Sequence, residues 1–127
     1  MRSYVRFLPL GLGMLLLAGC STTITNMTPS QTQRATTGLY PFSVAWDSSQ
    51  QSVVRDSVKV YVLVGTNLYP MQPTPLVRER WETVVPVPAD RDVLNYQYKF
   101  DFQYLTIPKR QANSVMSKPY QLRILEK

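Results

Sequence analysis

The sequence predicts an all-β domain built as a sandwich of two antiparallel sheets. Three observations carry that prediction. Apolar side chains recur at every second position in several short runs, the period of a strand with one buried face. Clusters of turn-forming residues separate these runs at short intervals. No segment of useful length repeats its apolar residues at helical spacing, and there are no heptads or internal repeats.

The strands follow in order. In the Thr-, Ser- and Gln-rich stretch from Ser21 to Thr37, the β-branched run Thr22–Thr28 predicts a first edge strand, with a loop through Pro29. What remains of that stretch reads as a flexible tether. Phe42, Val44 and Trp46 alternate with Ser43, Ala45 and Asp47, a half-buried strand closed by a turn at Asp47-Ser48-Ser49. Val58, Val60, Val62 and Val64 line one face of a strand whose other face is also partly apolar, so it is central. A turn at Gly65-Thr66-Asn67 leads to a short returning strand, Leu68–Met71. Pro70, Pro73 and Pro75 confine the next segment to an edge or a loop, because proline donates nothing to a ladder. Val77, Trp81, Thr83 and Val85 share one face of a strand ended by Pro86 and Pro88. The strand Asn95–Leu105 places Tyr96, Tyr98, Phe100, Phe102 and Tyr104 on one side. Residues 107–119 read as the longest irregular stretch, and Tyr120, Leu122 and Ile124 mark the last strand.

About seven short strands over roughly 100 residues is the pattern of an immunoglobulin-like β-sandwich, here without the Cys…Trp…Cys spacing of antibody domains. Such a sandwich needs apolar inner faces on both sheets. The aromatic row is therefore expected in the core, where its five rings would contribute on the order of 10 kcal/mol. The alternative is an exposed platform that stacks on sugar rings.

Composition narrows the function. The 14 Lys and Arg against 8 Asp and Glu are scattered, whereas a nucleic-acid binder concentrates its charge, so no nucleic-acid partner is expected. The chain has no histidine, which excludes Ser-His-Asp and Cys-His nucleophile systems and imidazole zinc sites. Its single cysteine, Cys20, permits no disulfide within the chain. Asp90 and Asp92 flank Arg91 in a polar turn and read as a solvated loop, not as the paired acids of a glycosidase or a calcium site. The expectation is a protein that is not an enzyme and takes no cofactor or metal.

The first residues read as an address. Arg2 and Arg6 precede an apolar stretch, Phe7–Ala18, shorter than the ~20 residues a spanning helix needs. It ends in Leu17-Ala18-Gly19-Cys20, which closely resembles the lipobox of bacterial lipoproteins. That resemblance implies cleavage before Cys20, a diacylglycerol thioether on its sulfur and acylation (palmitate or a similar chain) of the new amino terminus. Several acyl chains anchor stably where one does not. Ser21, where an inner-membrane protein of this kind carries Asp, implies the outer membrane, on its periplasmic face or at the surface. The expected organisation is a leader at 1–19, a lipidated N-terminus, tether and first edge strand at 20–37, and a sandwich at 38–127. Loss of the leader removes two of the 14 basic residues and leaves 12 beside 8 acidic ones.

A second resemblance concerns the sandwich itself. VGTNLYPM, RWETVVPVP and the Tyr-Gln-Tyr-Lys-Phe run from Tyr96 to Phe100 resemble the order of elements in immunoglobulin-like glycogen- and starch-binding modules. The run continues as DFQYLTIP, without that family's acidic-glycine turn and sugar-stacking aromatic, so the resemblance speaks for the fold more than for sugar binding.

The function expected is that of a membrane-anchored accessory or assembly subunit that contacts an envelope protein, with a glycan- or cell-wall-binding module as the alternative. Arg78, Arg80, Lys59 and Lys99 on outer faces, and Lys109, Arg110 and Lys118 in the irregular stretch, are the candidate contacts for an acidic partner or lipid headgroups.

Overall fold

The computed structural model describes residues 23–47, 53–105, 107 and 109–126. The leader, Cys20 and the turn predicted after Asp47 lie outside those residues. Among the described residues ten strands form: β1 (Thr23–Asn26), β2 (Gln31–Gln33), β3 (Leu39–Asp47), β4 (Val53–Val64), β5 (Asn67–Pro70), β6 (Gln72–Pro73), β7 (Arg80–Pro86), β8 (Val93–Leu105), β9 (Arg110–Met116) and β10 (Tyr120–Leu125). They make two sheets. The first has the order β1-β3-β7-β6; the second has the order β2-β10-β8-β4-β5, with β9 also on β8. This is the immunoglobulin arrangement, A-B-E-D facing G-F-C, extended by β5 beyond C and by β2 beyond G.

The seven strands expected are β1, β3, β4, β5, β7, β8 and β10. The three additions carry no apolar alternation. β2 is Gln-Thr-Gln and runs parallel to β10, the one parallel pair among the described strands. β6 has two residues on an edge. β9 corrects the irregular reading of residues 107–119: it pairs with β8 from Leu105↔Arg110 to Lys99↔Met116, yet is exposed at every residue except Val115. A strand bare on its outer face and along one edge leaves almost no hydrophobic pattern.

β9 and β10 are one strand broken by a bulge. Met116 faces Lys99 and Tyr120 faces Tyr96, so four steps on one side match three on β8. The extra residue reverses which face is inward. Val115 and Ser117 point inward before it, and Leu122 and Ile124 after it. At the break the Tyr98 amide donates to the Ser117 hydroxyl at 2.9 Å, where the ladder would offer a carbonyl. A second irregularity mirrors it across β8. β4 slips between Val54 and Lys59, and the Gln103 amide donates to the Ser57 hydroxyl at 2.9 Å. Serine thus substitutes for a missing backbone acceptor on each side of the central strand, which the buried Tyr98 amide requires.

The prolines obey the same accounting. Amides alternate between the two edges of a strand. Trp46 donates to Glu79 of the β7 side, so the odd positions of β3 face β1, and Pro41 falls where β1 has already left. Met71 and Thr74 donate toward β4 and β7, so Pro70 and Pro73 turn their donorless nitrogens to free edges.

The core lies between the sheets. Phe42, Val44, Trp46, Val60, Val62, Val85, Tyr98, Phe100, Leu122 and Ile124 are buried, as are Tyr40, Met71, Val87 and Leu94, which lie at strand ends or beyond them. Trp46 packs on Phe100 and Phe102 with ring centres 5.0 and 5.1 Å apart. Val77 departs from the expected core face. β7 begins at Arg80 because Glu79 (φ 61°) breaks the extended backbone, which leaves Val77 exposed in the preceding loop.

Candidate interaction surfaces

The aromatic row belongs to the core. Tyr96, Tyr98, Phe100 and Phe102 are buried, Tyr98 and Phe100 at 0 % exposure, and Tyr104 is half-buried. Sealed rings of this kind offer no face on which a sugar stacks, so the feature that would carry glycan recognition is used to hold the two sheets together. The two tyrosines also cross the sandwich with their hydroxyls. Ser43 N–H donates to Thr28 Oγ1 (3.0 Å), and the Thr28 and Tyr98 hydroxyls are 2.8 Å apart. Tyr98 in turn donates to Asn26 Oδ1 (2.7 Å), and Asn26 Nδ2 donates to the Tyr96 hydroxyl (2.9 Å). This chain fastens the stretch between β1 and β2, where the strand leaves one sheet for the other. Burial is the main cause that lifts both phenols above their ordinary range, Tyr98 strongly, against the opposing hydrogen bonds from Thr28 and Asn26.

One end of the sandwich is fastened by Arg34, which donates to Asp92 (2.7 Å), to Glu126 (2.8 Å) and to the Arg91 carbonyl (2.7 Å). Asp92 is thereby engaged as the partner of Arg34, on the far side from the chain's entry.

The opposite end is where Thr23 enters, since Thr23 pairs with Asp47 at the close of β3. Strand directions bring two loops to this same end: residues 74–79, which lead into β7 opposite Ala45, and residues 105–110, between β8 and β9. Arg78, Lys109 and Arg110 are exposed here, and Arg80 stands just inside with its Nε buried and without a hydrogen bond. Glu79 Oε1 accepts from Arg55 at 3.0 Å. Four of the seven candidate cations thus share one end, while Lys59 and Lys99 stand on β4 and β8 of the second sheet. Lys118 does not join them: it lies in the bulge on the flank of the second sheet, its ammonium 5.7 Å from the centre of the Tyr120 ring. The same two loops expose Leu76 and Ile107 completely, at 106 % and 100 %, with Val77 and Leu105 about half bare. Leu76 holds φ at 64°, which costs a non-glycine residue roughly 1–2 kcal/mol.

The outer faces differ. On the first sheet, Leu39 pairs with Pro86 and Pro41 with Val84, all four pointing outward and exposed, with Met27 beside them. On the second, Ser57, Lys59, Asp101, Gln103 and Ser114 line a shallow depression of about 600 Å³. Its carboxylate, Asp101, accepts from Ser114 (2.7 Å) and Lys99 (3.3 Å).

Neither the apolar square nor the bare loop tips were read from sequence as surface features. Alternation puts Pro41 and Val84 outward, but only the pairing of β3 with β7 gathers the four residues of the square, and in the loops at the tips periodicity says nothing. No protein-family model, characterised protein or solved structure matches this chain.

Proposed function

We propose that this chain is a lipid-anchored, non-enzymatic envelope protein of the outer membrane that serves as an accessory or assembly subunit, contacting a protein partner through the outer face of its first sheet. The observation that carries the anchor is Leu17-Ala18-Gly19-Cys20 behind a short, positively flanked apolar segment. The sandwich supports the role in two ways. Three of its carboxylates are engaged in bonds within the fold: Asp92 with Arg34, Glu79 with Arg55, and Asp101 with Ser114. Its first sheet presents an outward apolar square, Leu39, Pro41, Val84 and Pro86, rimmed by Ser43 and Glu82, which suits a protein contact of modest size.

The test begins with the mass of the N-terminal peptide from purified protein, expected to start at Cys20 and to carry acyl chains. Cys20→Ser is expected to leave an uncleaved or mislocalised precursor. Cross-linking in intact cells is then expected to capture one reproducible envelope protein, and Val84→Glu to abolish that product while leaving the protein folded and anchored. Capture that is indifferent to Val84→Glu and Leu39→Glu removes the first sheet from the interaction.

A further inference from the structure

We infer that the anchored end of the sandwich is itself a membrane-contact surface: the loop at 74–79 and, between β8 and β9, Leu105, Ile107, Lys109 and Arg110 rest in the headgroup layer of an anionic phospholipid bilayer. The inference rests on the lipid anchor proposed above. Three independent observations converge on it.

The first is position. Thr23 enters the sandwich at the end that carries both loops. Only three residue steps separate Cys20 from Thr23, a span of at most ~10 Å. A tether that short holds this end, and no other, against the surface into which the acyl chains insert.

The second is the apolar content of the tips. Leu76 and Ile107 are as bare as a side chain becomes, and they stand on loops that leave the two different sheets. Val77 and Leu105 accompany them. Apolar side chains at exposed tips sink ~5–10 Å into the boundary between headgroups and acyl chains. Leu76 stands fully exposed on a left-handed backbone, φ 64°.

The third is charge. The charged residues described in the two loops are Arg78, Glu79, Lys109 and Arg110, and Glu79 is neutralised by Arg55. The cations stand next to the apolar tips in sequence, as they do in segments that seat on anionic lipid. Asp47 joins Glu79 as an acid at this end, and Asp56 lies farther back in the β4 irregularity.

The experiment uses the full lipidated chain in vesicles of phosphatidylethanolamine and phosphatidylglycerol. A single cysteine is introduced as Leu76→Cys, Ile107→Cys or, at the opposite end, Ala89→Cys, and labelled with an environment-sensitive fluorophore. Nitroxide-bearing phospholipid is the quencher, flotation reports anchoring, and the mass of the Cys20 peptide reports lipidation. Both tip labels are expected to lose about half or more of their emission to the lipid quencher and to shift to the blue, with the Ala89 label unchanged. Raising the salt or omitting phosphatidylglycerol is expected to weaken the quenching without releasing the protein. Floated, lipidated protein whose tip labels behave like the Ala89 label overturns the contact surface and leaves the anchor standing. Protein that neither floats nor carries acyl chains overturns the anchor and the contact surface together.

Discussion

Removing a single oxygen, by Tyr98→Phe, tests how the sandwich is locked. The Tyr98 hydroxyl is fully buried, donates to Asn26 Oδ1 at 2.7 Å and meets the Thr28 hydroxyl at 2.8 Å. Each neutral hydrogen bond contributes roughly 0.5–1.5 kcal/mol net. The loss is bounded because two groups have a second partner: Asn26 Oδ1 keeps the Thr28 amide at 3.1 Å, and the Thr28 hydroxyl has the Ser43 carbonyl at 3.3 Å. The expected cost is therefore about 2 kcal/mol. Urea unfolding followed by the fluorescence of Trp46 and Trp81 reads it as a midpoint lower by about 1 M at unchanged slope. The pH dependence supplies the second half of the test. The folded Tyr98 phenol keeps its proton to higher pH than the unfolded one, whose pKa is ~10. Its contribution is thus constant below pH 10 and is lost as the pH rises beyond that. Over that range one such group steepens the decline by about 1.4 kcal/mol per pH unit. The variant is expected to decline less steeply, with Tyr96 still contributing. A midpoint and an alkaline slope both equal to those of the parent protein refute the hydrogen-bonded lock.

Other substitutions address the core, the bulge and the loop. Phe100→Ala is expected to destabilise by roughly 3–5 kcal/mol in the same assay, whereas a surface platform would leave the melting temperature unmoved. Ser117→Ala withdraws the acceptor of the Tyr98 amide and is expected to cost about 1–2 kcal/mol and to speed hydrogen exchange at that amide; unchanged protection there removes serine from the ladder. Leu76→Gly relieves a left-handed backbone at the expense of a freer unfolded chain, for a net gain of about 0.5 kcal/mol. A loss of stability from that change shows that the Leu76 side chain supports the fold.

Much of this fold was legible in the sequence because half-buried strands write their burial as alternation. Phe42-Val44-Trp46 and Tyr96-Tyr98-Phe100-Phe102 face inward as their period requires. The reading failed where alternation and burial part company. Arg110–Met116 forms a strand with almost nothing buried, so polar side chains concealed a regular backbone. Val58 matches Val60 in sequence parity, but the β4 irregularity separates them, and Val58 is only half-buried. Val77 continues the spacing of Val85, and a positive φ at Glu79 breaks the strand between them. Charge was less legible than apolar pattern. Arg78, Lys109 and Arg110 are more than 30 positions apart in sequence at their extremes and reach one end of the molecule only because β7 and β9 start there, while Lys118, at the far end of β9 from Arg110, is carried off along the flank.

The parallel pairing of β2 with β10 joins the start of the sandwich to its finish. Arg34 and Glu126, 92 positions apart, meet at 2.8 Å beside it. A chain emerging N-terminus first therefore exposes β2 long before its neighbour exists, and one flank of the second sheet, β10 with β2, is completed only when Tyr120–Leu125 has been made. Contacts of such long range make folding slow, on the scale of milliseconds to seconds, and keep it all-or-none. If the chain is exported as proposed above, this closure by β10 is an intrinsic delay. No prefix of the sequence that stops short of Tyr120 holds the partners needed to complete the second sheet and arrest it midway.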